Sequence, residues 1–304
     1  MKKGRRSKRK PNAQRSTEYP LLLDSFSIEQ ILNNKGRFEK TYKYHWDYLS
    51  NLAFQRKQVK RELTDVLRTA CIEQFTVNNW FRIVPHKYST HPLSAKGSLK
   101  FPGGRFNIGR IDQENYPSFP ALYLAEDQAT CIQEVFLTEK QHREFSGTEY
   151  ALTRAESFSC IRTSGLLDLV LDISAYDRLD AFVKLIGNFS LPKYINEEAG
   201  KLGMPSPRLI RSSKLLIREL MHDRWKHMPT LFDIPANSQV FGQIVFQAGI
   251  GGILYPSKHT GKKCLAVFPM NFVNTSSFLE LPDEPPKETI VARIDGQNAH
   301  LCES

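Results

Sequence analysis

The distribution of glycine divides this chain of 304 residues into two parts of different character. Between Leu21 and Gln74 the sequence contains one glycine, Gly36. Apolar residues recur in this segment at helical spacings, for example Val59, Leu63, Val66 and Leu67. Because glycine weakens helix interiors and a period near 3.6 gathers apolar residues on one face, the pattern predicts two or three helices with a break at 33–36. We expect residues 18–77 to form a helical extension that packs on the rest of the chain.

The pattern changes near Asn78, where short apolar and β-branched runs alternate with turns rich in glycine and proline. The runs predict strands at 80–84, 120–125, 150–153, 165–171, 251–255 and 264–268. Helices are predicted from Asp127 or Thr130 to about Gln141, at 207–226 and at 238–247. Strands and helices are mixed without strict alternation, which favours an α+β fold with a mixed β core and surrounding helices. We expect the main domain over 78–272 and a loose C-terminal tail over 273–304.

The formal net charge of +10 is concentrated at the N-terminus. Residues 1–15 hold eight basic side chains and no acidic ones, which leaves 34 basic against 32 acidic residues in the remainder. A segment with this composition buries too little apolar surface to offset its ordering entropy, so we expect residues 1–17 to be a disordered basic tail. Nucleic acid is therefore expected to bind weakly, through residues 1–15, and a nucleic-acid-binding protein remains an alternative function.

The cysteines and the hydropathy pattern restrict the setting of the protein. Its five cysteines are odd in number and widely spaced, without a Cys-x-x-Cys pair or a zinc-ligand spacing. This favours free thiols in a reducing cytoplasm, with neither a disulfide framework nor a structural metal. No run approaches the roughly 18 apolar residues that a membrane span needs, so we expect no membrane partner.

The first candidate site is the sequence Gly-Gly-Arg-Phe-Asn at 103–107. Two glycines let the backbone turn sharply and approach a ligand, and the arginine fork of Arg105 suits a phosphate group. The sequence is neither a P-loop nor a dinucleotide-binding glycine motif, and a surface turn beside an arginine fits it equally well.

Two further candidates follow along the chain. Tyr123 lies in the strand 120–125 and Glu134 in the next helix, away from its apolar stripe; a half-buried sheet tyrosine and a solvated glutamate fit these positions as well. In the loop 255–261, Ser257 and His259 suggest a nucleophile and a base, but no Gly-x-Ser-x-Gly elbow surrounds the serine, which disfavours a serine hydrolase. A polar loop is the alternative.

Taken in order, these segments resemble the RES domain family. The resemblance covers roughly residues 78–272. It rests on Phe81-Arg82-Ile83, Gly103 to Asn107, Ala121 to Ala125, Glu134-Val135, and Gly252-Ile253 with Tyr255-Pro256-Ser257. The family takes its name from an arginine, a glutamate and a serine, which here would be Arg105, Glu134 and Ser257. Phe106 stands where a tryptophan often follows the arginine, and Lys258 and His259 follow the serine where many members have a small or hydrophobic residue and then an arginine.

The resemblance implies a fold like that of ADP-ribosyltransferases and an activity on NAD. Bacterial members act as NAD-degrading toxins, in some cases by phosphorolysis, and are typically paired with a helix-turn-helix antitoxin. The expected reaction is cleavage of the nicotinamide–ribose bond with phosphate or water as acceptor. NAD is then a substrate, inorganic phosphate a co-substrate, and no metal is needed. Protein ADP-ribosylation, described for some members, is the alternative.

The resemblance also implies roles for individual side chains. Arg105 would bind the diphosphate, Tyr123 would contact the nicotinamide end, and Glu134 would hold a ribose hydroxyl and stabilise the developing cation. Ser257 would position the substrate or the acceptor. Arg82 and Asn107 complete the predicted NAD-binding set, and a structural ion pair is the alternative role for Arg82.

Overall fold

The computed structural model of the chain describes residues 28–137 and 157–303. The predicted basic tail, the predicted strand at 150–153 and the last residues of the helix expected to reach Gln141 lie outside these ranges. Within them the fold is mixed α+β, as predicted, with a helical N-terminal extension.

The elements are numbered here in chain order. The helices are α1 Ile28–Gln58, α2 Lys60–Thr69, α3 Gln128–Phe136, α4 Asp180–Ile186, α5 Lys193–Lys201, α6 Ser213–Leu220, α7 His227–Phe232 and α8 Asn237–Gln247. The strands are β1 Ile72–Pro85, β2 Gly103–Gly104, β3 Asn107–Ile108, β4 Leu122–Ala125, β5 Phe158–Asp172, β6 Gly252–Pro256, β7 Lys263–Val267, β8 Phe278–Glu280 and β9 Arg293–Asp295.

The main sheet has the strand order β1-β4-β7-β6-β5-β8-β9, and β1 also pairs with β5. Because β1 pairs with both β4 and β5, part of the sheet closes into a ring. The β5–β6 pair is parallel, whereas the other pairs of this sheet are antiparallel. The short strands β2 and β3 form a separate hairpin. Chain segments far apart in sequence, such as α3 and the loop after β6, thereby reach the same edge of the sheet.

Apolar side chains pack on both faces of the sheet. One face carries the larger cluster, which joins Phe106, Leu171 and Phe268 to side chains of α2, α4, α6 and α8. The other face carries a second cluster that includes Leu124, Leu167 and Leu254. Burying strands on both faces explains why their sequences are continuous apolar runs rather than alternating ones.

The helical extension differs from the prediction in two ways: its first helix is not interrupted at 33–36, and its second helix is buried in the core of the main domain. Helix α1 runs through the expected break at 33–36, since a glycine inside a helix costs only about 1 kcal/mol relative to alanine. Leu63 and Leu67 of α2 are buried in the larger core, at 1% and 0% exposure. Strand β1 already begins at Ile72, so the predicted boundary between 77 and 78 falls inside a strand.

The prediction of a loose tail over 273–304 was wrong for residues 273–303. Strands β8 and β9 extend the sheet, and Leu279, Ile294 and Cys302 are fully buried in the second core. The segment is rich in Pro, Glu and Asp, but a few well-spaced apolar residues suffice to anchor it. It covers one face of the sheet.

One of the helices predicted after β5 is shorter than expected, and the other has nearly the predicted bounds. The expected helix over 207–226 is helical at Ser213–Leu220 and continues as a 3-10 turn at Asp223–Lys226. The helix expected at 238–247 is α8, and the cap expected at Asp127 is present, because its carboxylate accepts a hydrogen bond from Thr130 N at 2.7 Å. None of the helices in 28–137 and 157–303 is long and apolar enough to cross a membrane.

Candidate active site

The Gly-Gly-Arg sequence forms the tight hairpin of β2 and β3. Gly103 has φ +95°, and a Cβ there would lie 2.4 Å from Gly109 N. A Cβ on Gly104 would lie 2.2 Å from the Tyr123 hydroxyl oxygen. The first glycine is therefore required by backbone conformation, and the second by the close approach of Tyr123.

Asn107 holds this hairpin from inside. Its Oδ1 accepts hydrogen bonds from Gly104 N and from the Tyr123 hydroxyl, both at 2.9 Å. Its Nδ2 donates to Ser98 O at 2.8 Å and to Phe119 O at 3.0 Å. The side chain is fully buried, and its two donors and two acceptor positions are all used. In this structure Asn107 shapes the turn, and its predicted contact with NAD stays a prediction.

Tyr123 projects from β4 towards the hairpin. Its hydroxyl donates to Asn107 and accepts a hydrogen bond from Phe106 N at 3.0 Å. Burial raises the pKa of Tyr123 well above its usual value, so the hydroxyl stays protonated. Since the hydroxyl is committed to these two contacts, the ring is the part of Tyr123 that remains for contact with a ligand.

Arg105 stands in the turn between β2 and β3, and its side chain reaches the end of α6. One guanidinium nitrogen, Nη1, donates to His222 O at 3.0 Å and to Leu220 O at 3.3 Å, and the guanidinium lies 5.7 Å from the ring centre of Trp225. Burial lowers the pKa of Arg105, whereas the nearby acidic groups of Tyr255, Glu134 and Tyr123 raise it. The arginine is thus close to Glu134, but its hydrogen bonds go to backbone carbonyl groups.

Glu134 and Ser257 are brought together by the fold although 123 residues separate them. The Ser257 hydroxyl donates to Glu134 Oε1 at 2.5 Å. The serine is 3% exposed, and its oxygen accepts from His259 N at 3.2 Å and Thr260 N at 3.3 Å. Within the described residues, Glu134 Oε2 accepts no hydrogen bond. This oxygen is therefore available to a ligand.

Glu134 lies at the edge of a cleft of about 920 Å³. The walls include apolar side chains of β1 and β4, the Gly103–Gly104 turn and the rings of Tyr123 and Tyr255. Its volume and largely apolar character are those of a small-molecule site. Ser257 does not line this cleft but a second pocket of about 520 Å³, together with Lys258 and residues of α6.

Arg82 lines the cleft, but its guanidinium is used on the protein itself. It donates to Pro92 O at 3.0 Å and to Ser94 O at 2.6 Å. Burial lowers its pKa to about 10, so it remains charged at neutral pH. The geometry supports a structural role, in which Arg82 holds the segment after β1.

The structure adds three residues that sequence reasoning did not place in the site. Gln239 Nε2 donates to Pro102 O at 2.7 Å and Asn107 O at 3.0 Å and so holds the hairpin from α8. The ring of Tyr255 lies 5.0 Å from that of Phe106. The Lys258 ammonium forms an ion pair with Asp223. The sequence does not single out Gln239, because α8 also contains Gln243 and Gln247, and only the packing against the hairpin makes this amide fully buried.

A metal centre has no evident basis in the part of the chain that the structure describes, where no group of three or more His, Cys, Asp or Glu side chains is arranged to hold an ion.

Comparisons with known proteins place this geometry in a family. The family model described as the RES domain matches residues 79–186 and 198–283. Among solved structures, a chain of the crystal structure of the M. tuberculosis MbcT–MbcA toxin–antitoxin complex is similar, with 15% sequence identity and a TM-score of 0.42. The similarity covers 80% of this chain and 97% of that chain. The curated proteins gave no match. Because the family model spans well over half of the sequence, the chain belongs to the RES domain family.

Proposed function

We propose that this protein cleaves the bond between nicotinamide and ribose in NAD, with phosphate or water as acceptor. The observation that carries the proposal is the 2.5 Å hydrogen bond between Ser257 and Glu134 at the edge of the 920 Å³ cleft. Membership of the RES domain family, whose bacterial members degrade NAD, supports the choice of substrate.

The proposed reaction makes a specific demand on Glu134. When the C1″–N bond breaks, its electron pair goes to the nicotinamide ring, and the ribose passes through an oxocarbenium-like state. A carboxylate held in place before the reaction stabilises that positive charge more effectively than water does. Ser257 fixes one oxygen of Glu134, and Oε2 is left to hold a ribose hydroxyl.

The walls of the cleft suit the leaving group. The rings of Tyr123 and Tyr255 and the apolar side chains of Ile83 and Leu124 line it. The nicotinamide ring leaves as a neutral aromatic molecule, which packs favourably against such surfaces. Arg105 and Lys258 both interact electrostatically with Glu134, and we assign them to the diphosphate.

Product analysis tests the proposal. Purified protein is incubated with NAD, with and without inorganic phosphate, and the products are separated. ADP-ribose-1″-phosphate indicates phosphorolysis and free ADP-ribose indicates hydrolysis, whereas label retained on protein indicates ADP-ribosyl transfer, the alternative function. Absence of nicotinamide release under every condition would refute an NAD-cleaving activity.

We also infer a protein antitoxin of helix-turn-helix type as partner, on the resemblance to RES toxins alone. Growth arrest on expression of the protein, relieved by co-expression of a neighbouring gene product, is the expected result. Growth unaffected by the active protein would contradict a toxin role.

A further inference from the structure

The two cations assigned to the diphosphate already have partners, and both partners come from one segment. Arg105 donates to Leu220 O and His222 O, and Lys258 forms an ion pair with Asp223. We call residues 221–226, which follow α6, the strap. Its Trp225 ring also lies 5.7 Å from the Arg105 guanidinium. An anionic substrate that binds Lys258 or the Nη1 group of Arg105 therefore competes with these partners.

The strap is built as a separate, short piece of structure. Helix α6 ends at Leu220, and the 3-10 turn Asp223–Lys226 contains Arg224 with non-helical φ −84° and ψ 26°. Four of its six residues are exposed, and Met221 is the one that is buried. A segment with few buried side chains opens at low cost in free energy, as substrate-gating segments do.

Helix α1 reaches the strap through α7, which begins directly after it. The Phe232 ring at the end of α7 lies 4.5 Å from the His45 ring and stacks on Phe38 at 5.9 Å. Both partners belong to α1, which lies outside the residues matched by the family model. The position of the strap is thus tied to an element that the matched domain does not include.

We propose that the strap occupies Arg105 and Lys258 in the absence of substrate, and that helix α1 holds it there through Phe232. This inference rests on the proposed function and assigns a role to the N-terminal extension. Substrate diphosphate takes over the Arg105 hydrogen bond that His222 O of the strap accepts and displaces the Asp223 carboxylate. Asp223 and Phe232 act on substrate affinity as positioning residues, without contact with the reacting atoms.

The first test is Asp223→Asn, which keeps size and removes the competing charge. The side chains of Lys258 and Asp223 are 31% and 47% exposed, so their pair is of the partly solvated kind that contributes modestly. We expect the KM for NAD to fall about 2- to 5-fold, with kcat unchanged. Asp177→Asn, an exposed carboxylate of the same type outside the strap, is the matched control.

The second test is Phe232→Ala, with Leu231→Ala as control. Phe232 contacts α1, whereas the neighbouring Leu231 is 52% exposed. Loss of the contact is expected to lower the KM about 2-fold, and the double variant with Asp223→Asn to show less than the product of the two effects, because both changes release the same segment. Damage to the fold lowers kcat or the amount of folded protein, and does not lower KM.

Failure of this inference is distinguishable from failure of the proposed function. Nicotinamide release with a KM that is unchanged or raised in both variants overturns the strap and leaves the activity intact. If wild-type protein releases no nicotinamide, calorimetric titration with inorganic pyrophosphate decides instead. Tighter pyrophosphate binding by Asp223→Asn than by wild type then supports the strap, and equal or undetectable binding by both overturns it.

Discussion

The two sides of the candidate active site use their polar groups differently. On the side of the Gly103–Gly104 hairpin, the side chains of Asn107 and Arg82 and the hydroxyl of Tyr123 direct their hydrogen bonds to the protein. On the opposite side, Ser257 holds one oxygen of Glu134, and the other accepts no hydrogen bond from the described residues. The first side is built to be rigid, and the second side presents a charge. The residues that the family resemblance singles out thus fall into two groups: those that shape the site and those that we expect to take part in the reaction.

The largest expected effect separates the two sides most clearly. Glu134→Gln keeps the size of the side chain and removes its charge, so it removes the stabilisation of the oxocarbenium-like state. We expect nicotinamide release to fall about 10²- to 10³-fold, the usual cost of one preorganised group. The thermal midpoint should stay within a few degrees of wild type, and Glu114→Gln, an exposed carboxylate in a loop, should leave the rate unchanged. A rate within a factor of three of wild type would remove Glu134 from the mechanism.

Asn107→Ala should show the reverse behaviour, with its main effect on stability. The substitution leaves Gly104 N, Ser98 O and Phe119 O without their partner in a buried place. Unsatisfied buried groups cost about 1–3 kcal/mol each, so we expect unfolding to become easier by about 3 kcal/mol. Denaturant unfolding measures this change, and Asn196→Ala on the exposed side of α5 is the control. Unchanged stability together with a loss of NAD binding would instead support the predicted contact between Asn107 and NAD.

These roles differ in how far the sequence can reveal them. The hairpin glycines and the cap at Asp127 depend on neighbouring residues, and the sequence predicts them. The role of Asn107 depends on carbonyl groups of Ser98 and Phe119, and nothing in the local pattern points to these partners. Only the packing of the hairpin against the segments that carry these carbonyl groups decides that Asn107, two residues after the arginine, is buried.

Contacts between distant segments of the chain also explain why the sequence did not predict the burial of the C-terminal residues or the position of Arg105. The C-terminal residues have the composition of a loop, yet Ile294 and Cys302 are buried because the second face of the sheet would otherwise be uncovered. Arg105 meets the end of α6 at a separation of more than 100 residues, and no periodicity encodes that contact. The family resemblance predicted that Arg105, Glu134 and Ser257 belong to one site. In the structure Ser257 is hydrogen-bonded to Glu134, and Arg105 is close enough to interact with the Glu134 charge.

Ser257→Ala tests whether the activity depends on the hydrogen bond that holds the Glu134 carboxylate in place. The change removes the 2.5 Å hydrogen bond and lets the Glu134 carboxylate rotate, but leaves its charge. We expect nicotinamide release to fall about 10-fold, which is less than for Glu134→Gln, because one hydrogen bond to a charged group contributes about 1.5–3 kcal/mol at most. Threonine at 257 should restore part of the rate, and Ser206→Ala at an exposed position is the control. A loss as large as that of Glu134→Gln would instead make the serine an equal partner in the chemistry.

The smallest expected effect concerns Lys258, whose charge is sensitive to pH. Desolvation lowers its pKa to about 8, the charge of Arg105 lowers it as well, and the charge of Glu134 opposes this. As pH rises from 7 to 9 the ammonium loses its proton, and a cation that binds the diphosphate disappears. The folded chain then holds fewer protons than the unfolded chain between about pH 8 and the ordinary lysine pKa, so stability from this group rises with pH over the same window.

Activity and stability should therefore move in opposite directions above pH 7. We expect the KM for NAD to rise several-fold between pH 7 and pH 9, while the contribution of Lys258 to the thermal midpoint rises slightly. Lys258→Arg keeps its charge throughout this range and should abolish the pH dependence of KM, whereas kcat, which depends on Glu134, should keep its own profile. If the arginine variant retains the wild-type rise in KM, the titrating group lies elsewhere, and the reactive side of the site consists of Glu134 and Ser257 without Lys258.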